Sequence, residues 1–212
     1  MPITTIFFDL DDTMYPSSTG LWQAIKGRIN KYMCERLGMN DEESARLREK
    51  YFMQYGTTLR GLQAHHNIDT RDFLAYVHDL PLNEYLVPDP VQRSVIASLP
   101  TRNLIFTNAD ASHAQRVLTT LKLIEYFPAV VDVHVAAPHC KPMPESFAAA
   151  MKVAGESDPA RCLMIDDLTR TTRAARELGM FSILYGEGPP DGAAHASFTD
   201  WKALPDILNR LN

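Results

Sequence analysis

The side chains best suited to chemistry in this sequence are acidic residues that directly follow short apolar runs. Asp9 and Asp11 come after one such run, and the pair Asp166-Asp167 comes after another. Residues two apart on an extended chain point the same way, so the carboxylates of Asp9 and Asp11 can face one site. Crowded carboxylates need compensating positive charge, and a hard cation such as Mg²⁺ accepts oxygen ligands. The pattern therefore suits phosphoryl transfer, in which one carboxylate attacks phosphorus and the other moves a proton.

Three further polar residues lie at comparable positions along the chain. Thr107 and Asn108 follow a third apolar run, and Lys141 precedes a helical pattern. Taken singly, each has an ordinary reading: a turn for Thr107-Asn108, a solvated loop lysine for Lys141, and a helix N-cap for Asp166-Asp167. Ligands in open α/β sheets bind beyond the carboxyl ends of the strands. The whole set, in this order, therefore favours one common site.

The elements that would position these residues alternate between strand and helix. The apolar runs, each too short for a helix, are 6–8, 104–106, 130–133, 162–165 and 181–184. Apolar residues at helical spacing occupy 91–99, 114–121, 145–154 and 172–178. This alternation predicts an α/β fold with a Rossmann-like, doubly wound parallel sheet.

A long helical stretch interrupts the alternation after the first strand. Helical spacing covers 21–33, about 41–55, and a third segment that begins at Thr70 or Asp72. We therefore predict a catalytic core formed by 1–15 and 87–212, with a small helical module over 16–86. His113, His65 and His66 are expected to be solvated residues at helix ends.

The composition of the whole chain excludes several classes of protein. The 212 residues carry a net charge of -5 without a basic run, which argues against binding a nucleic-acid polymer. The sequence has no apolar stretch near the roughly 18–20 residues that a membrane span needs. Its three cysteines show no CxxC spacing, which disfavours a zinc site or a disulfide framework and predicts a cytoplasmic location.

The four polar stretches resemble the four motifs of the haloacid dehalogenase (HAD) superfamily. The resemblance implies that Asp9 is the nucleophile and that Asp11 is the general acid/base. It assigns phosphate binding to Thr107, Asn108 and Lys141, and Mg²⁺ binding to the set Asp9, Asp11, Asp166 and Asp167. It also implies that the helical module is a cap, while Asp12 is expected to be structural.

Two details qualify this resemblance. Dehalogenases of the superfamily lack the second aspartate of the first motif, so the presence of Asp11 disfavours halide displacement. The fourth motif commonly continues with a serine and an asparagine, where this chain has Leu168 and Thr171. Their loss could weaken support for the metal ligands.

Further stretches around 10–22, 55–62, 78–82 and 106–109 resemble the pyrimidine 5'-nucleotidase branch of the superfamily. This implies a small phosphate monoester as substrate, namely a nucleoside monophosphate such as UMP or CMP. Thr57, Thr58 and Arg60 are the predicted contacts for its leaving group, although Arg60 could instead pair with an acidic surface residue. The alternatives are a sugar-phosphate phosphatase, a phosphomutase, or a non-catalytic regulatory protein on the same fold.

Overall fold

The computed structural model describes residues 2–188 and 192–211. The chain divides into two compact units. The sheet unit comprises Met1–Pro16 and Leu86–Asn212, and the helical unit comprises Ser17–Tyr85. The boundaries predicted from the sequence lie one residue from these. The roles of catalytic core and cap stay predictions.

The described residues of the sheet unit form a six-stranded sheet. Its strands are β1 (Thr5–Phe8), β2 (Arg102–Phe106), β3 (Val130–Val131), β4 (Cys162–Asp166), β5 (Phe181–Tyr185) and β6 (Ala196–Phe198). All neighbouring strands are parallel, in the order β3-β2-β1-β4-β5-β6. The predicted doubly wound parallel sheet is confirmed.

The apolar strands are buried on both faces of the sheet. The helices of this unit are α5 (Pro90–Ser98), α6 (Ala111–Thr120), α7 (Pro144–Ala154), α8 (Thr169–Glu177) and α9 (Leu204–Leu211). On one face, Phe106 contacts Phe7 and Phe147 edge-to-face, with ring centroids 6.1 and 5.3 Å apart. The next residue of β1, Phe8, contacts Phe127 at 5.4 Å instead. Alternation along the strand therefore fills both core layers.

The strand predicted over 130–133 is shorter in the structure. β3 ends at Val131 because the Asp132 carboxylate accepts hydrogen bonds from the backbone N–H groups of His134 and Val135. A third bond, from the N–H of Ala111 to the same carboxylate, ties this turn to the start of α6. Local side-chain bonding thus replaces strand pairing at this point.

The helical unit consists of α1 (Leu21–Leu37), α2 (Asp41–Tyr55), α3 (Thr58–His65) and α4 (Thr70–His78). Tyr32 of α1 packs edge-to-face on Phe73 of α4 with centroids 5.0 Å apart. The Arg28 guanidinium lies 4.1 Å from the centroid of the Tyr76 ring and donates two hydrogen bonds to the Tyr76 carbonyl. Within the described residues, no helix has the length and apolarity to span a membrane.

Candidate active site

Parallel pairing of β1 with β4 places Asp9 beside the pair Asp166-Asp167. Phe8 of β1 is in register with Ile165 of β4, so Asp9 and Asp166 leave neighbouring strands at the same edge. The backbone N–H of Asp9 extends the ladder by donating to the Ile165 carbonyl at 2.9 Å. The sheet itself therefore fixes the separation of these two carboxylates.

Lys141 lies between these two carboxylates. Its Nζ donates to Asp9 Oδ1 at 2.6 Å and to Asp166 Oδ2 at 2.7 Å, and the side chain is buried. Burial lowers the pKa of Lys141, but the charges of Asp166 and Asp9 outweigh this and raise it. The lysine therefore remains a cation, held where two hydrogen bonds fix its direction.

Asn108 holds the loop that carries Lys141. Its side-chain Nδ2 donates to the Lys141 carbonyl at 3.1 Å, while Oδ1 accepts from the Lys141 N–H at 2.9 Å. Thr107 lies at the end of β2, buried, and its hydroxyl accepts from the N–H of Ala109 at 3.0 Å. Thr107 therefore stabilises the turn after β2, and Asn108 joins this turn to the loop of Lys141. A turn at this position is compatible with a role in the site.

Asp167 completes a cluster of carboxylates. One oxygen from each of Asp9, Asp166 and Asp167 lies within 4.8 Å of the others. Burial, together with the charge of Asp166, raises the pKa of Asp167 to about 9. Burial also raises the pKa of Asp9 to about 7, although Lys141 opposes this. One lysine does not neutralise the buried Asp9 and Asp166 together with the partly buried Asp167, and this oxygen-only donor set is the kind that Mg²⁺ prefers.

Two side chains lie within hydrogen-bonding distance of a single oxygen of Asp11, and both donate to it when Asp11 is ionised, because a carboxylate can only accept. The Tyr15 hydroxyl donates to Asp11 Oδ1 at 2.6 Å, and His113 Nε2 lies 2.9 Å from the same oxygen. Burial and the neighbouring Asp11 charge raise the pKa of Tyr15, which keeps its hydroxyl protonated as a donor.

The expectation that His113 is solvated is wrong. Its residue exposure is 1%; it lies in the first turn of α6, where its N–H donates to the capping Asp110 carboxylate. The sequence carried a signal for this, since position 113 shares a helix face with the apolar Val117 four residues later. Tyr15 had no comparable signal.

The turn after β1 supplies a second hydrogen bond to Asp9, on the oxygen that Lys141 does not contact. Thr13 is fully buried, and its hydroxyl donates to Asp9 Oδ2 at 3.3 Å. The turn is closed by bonds from the N–H groups of Thr13 and Met14 to the Leu10 carbonyl. Asp12 adopts a left-handed conformation with φ 59°, which aspartate tolerates better than most residues. This conformation fits the structural role predicted for Asp12.

The three predicted leaving-group contacts lie at the start of α3. Thr57 is the N-cap and accepts from the N–H of Arg60 at 3.1 Å, and the Thr58 hydroxyl donates to the Arg48 carbonyl. The Arg60 guanidinium donates to Gln63 Oε1 at 2.9 Å. This bond joins Arg60 to a neutral amide. The role of these three residues in substrate binding stays a prediction.

The chain is similar to known proteins along most of its length. Residues 3–179 match the haloacid dehalogenase-like hydrolase family. A curated relative, Phosphate metabolism protein 8 of Saccharomyces cerevisiae, is 31% identical over 193 residues, which cover 84% of this chain. The chain spans 60% of the length of that yeast protein.

Solved structures show the same fold at low sequence identity. The HAD-hydrolase YfnB of Bacillus subtilis, solved bound to magnesium, has a TM-score of 0.62 at 15% identity over 99% of this chain and 100% of its own. A HAD phosphatase of Thermococcus onnurineus has a TM-score of 0.63 at 17% identity, covering 97% and 98% of the two chains. A 2-haloacid dehalogenase of Pseudomonas syringae has a TM-score of 0.64 at 18% identity, covering 99% and 100%. With the family match across most of its length, this chain belongs to the haloacid dehalogenase-like hydrolases.

Proposed function

We propose that this protein is a Mg²⁺-dependent phosphomonoesterase that works through an aspartyl-phosphate on Asp9 and acts on pyrimidine nucleoside 5'-monophosphates. The observation that carries the proposal is the contact of Lys141 Nζ with both Asp9 and Asp166, beside Asp167. The proposal is supported by a lysine cation and three carboxylates that lie close together. Such a set suits a substrate that is a small, highly charged anion.

In the first step, a carboxylate oxygen of Asp9 attacks phosphorus, and the bond from phosphorus to the leaving oxygen breaks. The Asp11 carboxyl gives its proton to that oxygen, so the product leaves as an alcohol. Lys141 stabilises the negative charge of the phosphoryl oxygens. Thr107 and Asn108, at the end of β2, are proposed to bind those oxygens too, Asn108 through its backbone N–H.

In the second step, Asp11 takes a proton from water, and the resulting hydroxide attacks the phosphorus of the aspartyl-phosphate. Inorganic phosphate leaves and the Asp9 carboxylate is restored. Asp9, Asp166 and Asp167, with the Asp11 carbonyl, would hold the Mg²⁺. When bound, the ion supplies the positive charge that the carboxylates and phosphoryl group need.

An oxygen leaving group fits this site better than a halide. Halide ions depart without a proton, whereas the alkoxide of a phosphate ester needs one. Asp11, held by Tyr15 and His113, is a carboxyl group equipped to supply it. The names of the yeast phosphate-metabolism protein and of the archaeal HAD phosphatase support the same reaction class.

The proposed substrate class rests on the resemblance of the helical stretches to the pyrimidine 5'-nucleotidase branch. We propose that Thr57, Thr58 and Arg60 contact the nucleoside. Phosphate release should be measured with UMP, CMP, purine monophosphates and sugar phosphates in the presence of Mg²⁺, and halide release should be measured with a 2-haloacid. UMP and CMP are expected to give the highest kcat/KM, and sugar phosphates as preferred substrates would contradict the pyrimidine assignment.

The covalent mechanism is tested by Asp9→Asn, which keeps the shape of the side chain and removes the nucleophilic charge. We expect kcat to fall by roughly 10³-fold or more. Labelled phosphate should remain on acid-quenched wild-type protein and be absent from the variant. Asp206→Asn, an exposed carboxylate on α9, is the matched control and should retain full activity. Turnover by Asp9→Asn at a near-normal rate would refute the mechanism.

A further inference from the structure

We propose that His113 and Tyr15 are positioning residues that direct Asp11 to exchange its proton through Oδ2. The inference rests on the proposed function, since it concerns how the acid/base group of that reaction is held. The observation that carries it is the pair of donors on Asp11 Oδ1, 2.6 Å from the Tyr15 hydroxyl and 2.9 Å from His113 Nε2.

The two donors reach Asp11 from different parts of the sheet unit. Tyr15 lies four residues after Asp11, beyond the turn that follows β1, and is 2% exposed. His113 comes from the first turn of α6, 102 residues away along the chain. Bonds from two directions hold a carboxylate in one plane more firmly than one bond can, because a single bond leaves the group free to swing about it.

The turn that carries His113 is itself fastened in two places. The Asp110 carboxylate accepts from the N–H of His113 at 2.9 Å, and the Asp132 carboxylate accepts from the N–H of Ala111 at 3.0 Å. The imidazole has a side-chain exposure of 0%. A rigid, buried donor of this kind fixes the position of its acceptor.

The two bonds also distinguish the two oxygens of Asp11. An oxygen that already accepts from a phenol and an imidazole is a poor site for a proton, since protonation would set an O–H against two donor hydrogens. The proton given to the leaving oxygen, and later taken from water, is therefore carried on Oδ2. The carboxylate side chain remains 14% exposed, which leaves it partly open to a reaction partner.

A positioning role can be separated from a structural one by the identity of the leaving group. p-Nitrophenyl phosphate releases p-nitrophenolate, a stable anion that needs little protonation. An alkyl phosphate such as glycerol 2-phosphate would release a strongly basic alkoxide, which needs a proton from Asp11. The ratio kcat/KM reports the steps up to departure of the leaving group, so it isolates the acid role from the later attack of water.

The test uses Tyr15→Phe, which removes one hydroxyl, with His113→Leu and the amide-bearing His113→Gln. We expect kcat/KM for the alkyl ester to fall roughly 10-fold or more beyond any fall for the aryl ester in Tyr15→Phe and His113→Leu. His113→Gln, which keeps an N–H near the position of Nε2, should recover part of the loss. Tyr185→Phe, a tyrosine of β5, is the control and should leave the ratio of the two substrates unchanged.

Each result has a distinct meaning. Equal falls for both esters, or no fall for either, in folded Tyr15→Phe would overturn the positioning role while leaving the phosphatase assignment standing. Thermal melting of each variant identifies any that do not fold, and Tyr15→Phe decides the question if His113→Leu is one of them. A wild-type protein inactive on both esters and also on UMP and CMP would instead overturn the proposed function, and this inference with it.

Discussion

Each carboxylate of the site is held differently, and this sets what each can do. Asp9 is fixed by Lys141 on one oxygen and Thr13 on the other, so its orientation is set before any substrate arrives. Asp166 is bound by Lys141 and by the N–H of Leu168. Burial and the charge of Asp166 raise the pKa of Asp167 to about 9, above the value of about 7 for Asp9. A bound cation would therefore stabilise the ionised form of Asp167.

Asp167 should make the metal-free protein sensitive to alkaline pH. Its pKa rises from an ordinary 3.8 to about 9 on folding, so the folded state binds more protons than the unfolded state across that range. Stability then falls as pH rises, until the folded group has also ionised. Asp9, with a pKa of about 7, contributes mainly at lower pH. In EDTA, the free energy of unfolding in urea should thus decrease between pH 7 and 9.

Asp167→Asn should flatten the decrease between pH 7 and 9, because the variant has no carboxyl to ionise there. Asp206→Asn should keep the wild-type slope. Adding Mg²⁺ to the wild type should also reduce the slope by supplying the missing positive charge. A wild-type stability that stays constant from pH 5 to 9 in EDTA would contradict the raised pKa values.

At the scale of elements, α2 and α3 of the helical unit approach so closely that only glycine fits at position 61. A Cβ added to Gly61 would overlap the ring of Tyr51. That ring is 4% exposed, stacks on His65 at a centroid distance of 5.3 Å and bonds His66 through its hydroxyl. Tyr51 therefore has little freedom to move aside, and the two helices would have to separate.

We expect Gly61→Ala to destabilise the protein by about 1–3 kcal/mol through this overlap. The matched control is Gly27→Ala in α1, where an added Cβ meets nothing within 4 Å. That control should gain up to about 1 kcal/mol from helix propensity. Urea unfolding followed by far-UV circular dichroism measures both. Equal shifts in the two midpoints would show that the close approach of α2 and α3 does not matter.

Some strands and helices are predictable from the sequence and others are not, for physical reasons. Buried parallel strands are continuous apolar runs, so β1, β2, β4 and β5 were recognisable, whereas the three-residue β6 was too short to give a pattern. α3 was missed because it spans only eight residues. The four-residue prediction for β3 failed because Asp132 binds backbone locally, which an apolar pattern does not reveal.

The site residues at strand ends were predictable because parallel strands bring their carboxyl ends to one edge. This explains the convergence of Asp9 and Asp166, whereas Lys141 reaches them from a loop that Asn108 holds at the end of β2. The donors on Asp11 and the Thr13 bond to Asp9 were not predicted, since they depend on side-chain directions within a turn and on a helix 102 residues away. Spacing along the chain carries little information about such contacts.

At the scale of the whole molecule, the three cysteines differ in exposure and form no disulfide. Cys34 in the helical unit is partly exposed and bonds Asp41 and Ser44 through its thiol. Cys140 and Cys162 in the sheet unit are fully buried. Burial, with the charges of Glu156 and Asp158, raises the pKa of Cys162 to about 12, which disfavours the reactive thiolate. The thiols therefore report separately on the two units.

Native protein treated with a disulfide reagent such as DTNB at pH 8 should release one equivalent quickly, from Cys34. The other two should react only as the sheet unit unfolds, because reagent cannot reach a thiol inside a close-packed core. Full denaturation should give three equivalents, and Cys34→Ser should remove the fast phase alone. In a urea titration, the slow thiols should become reactive at the midpoint for loss of the sheet. A fast phase of two or three equivalents in native protein would mean that the core around β4 opens far more readily than its burial implies.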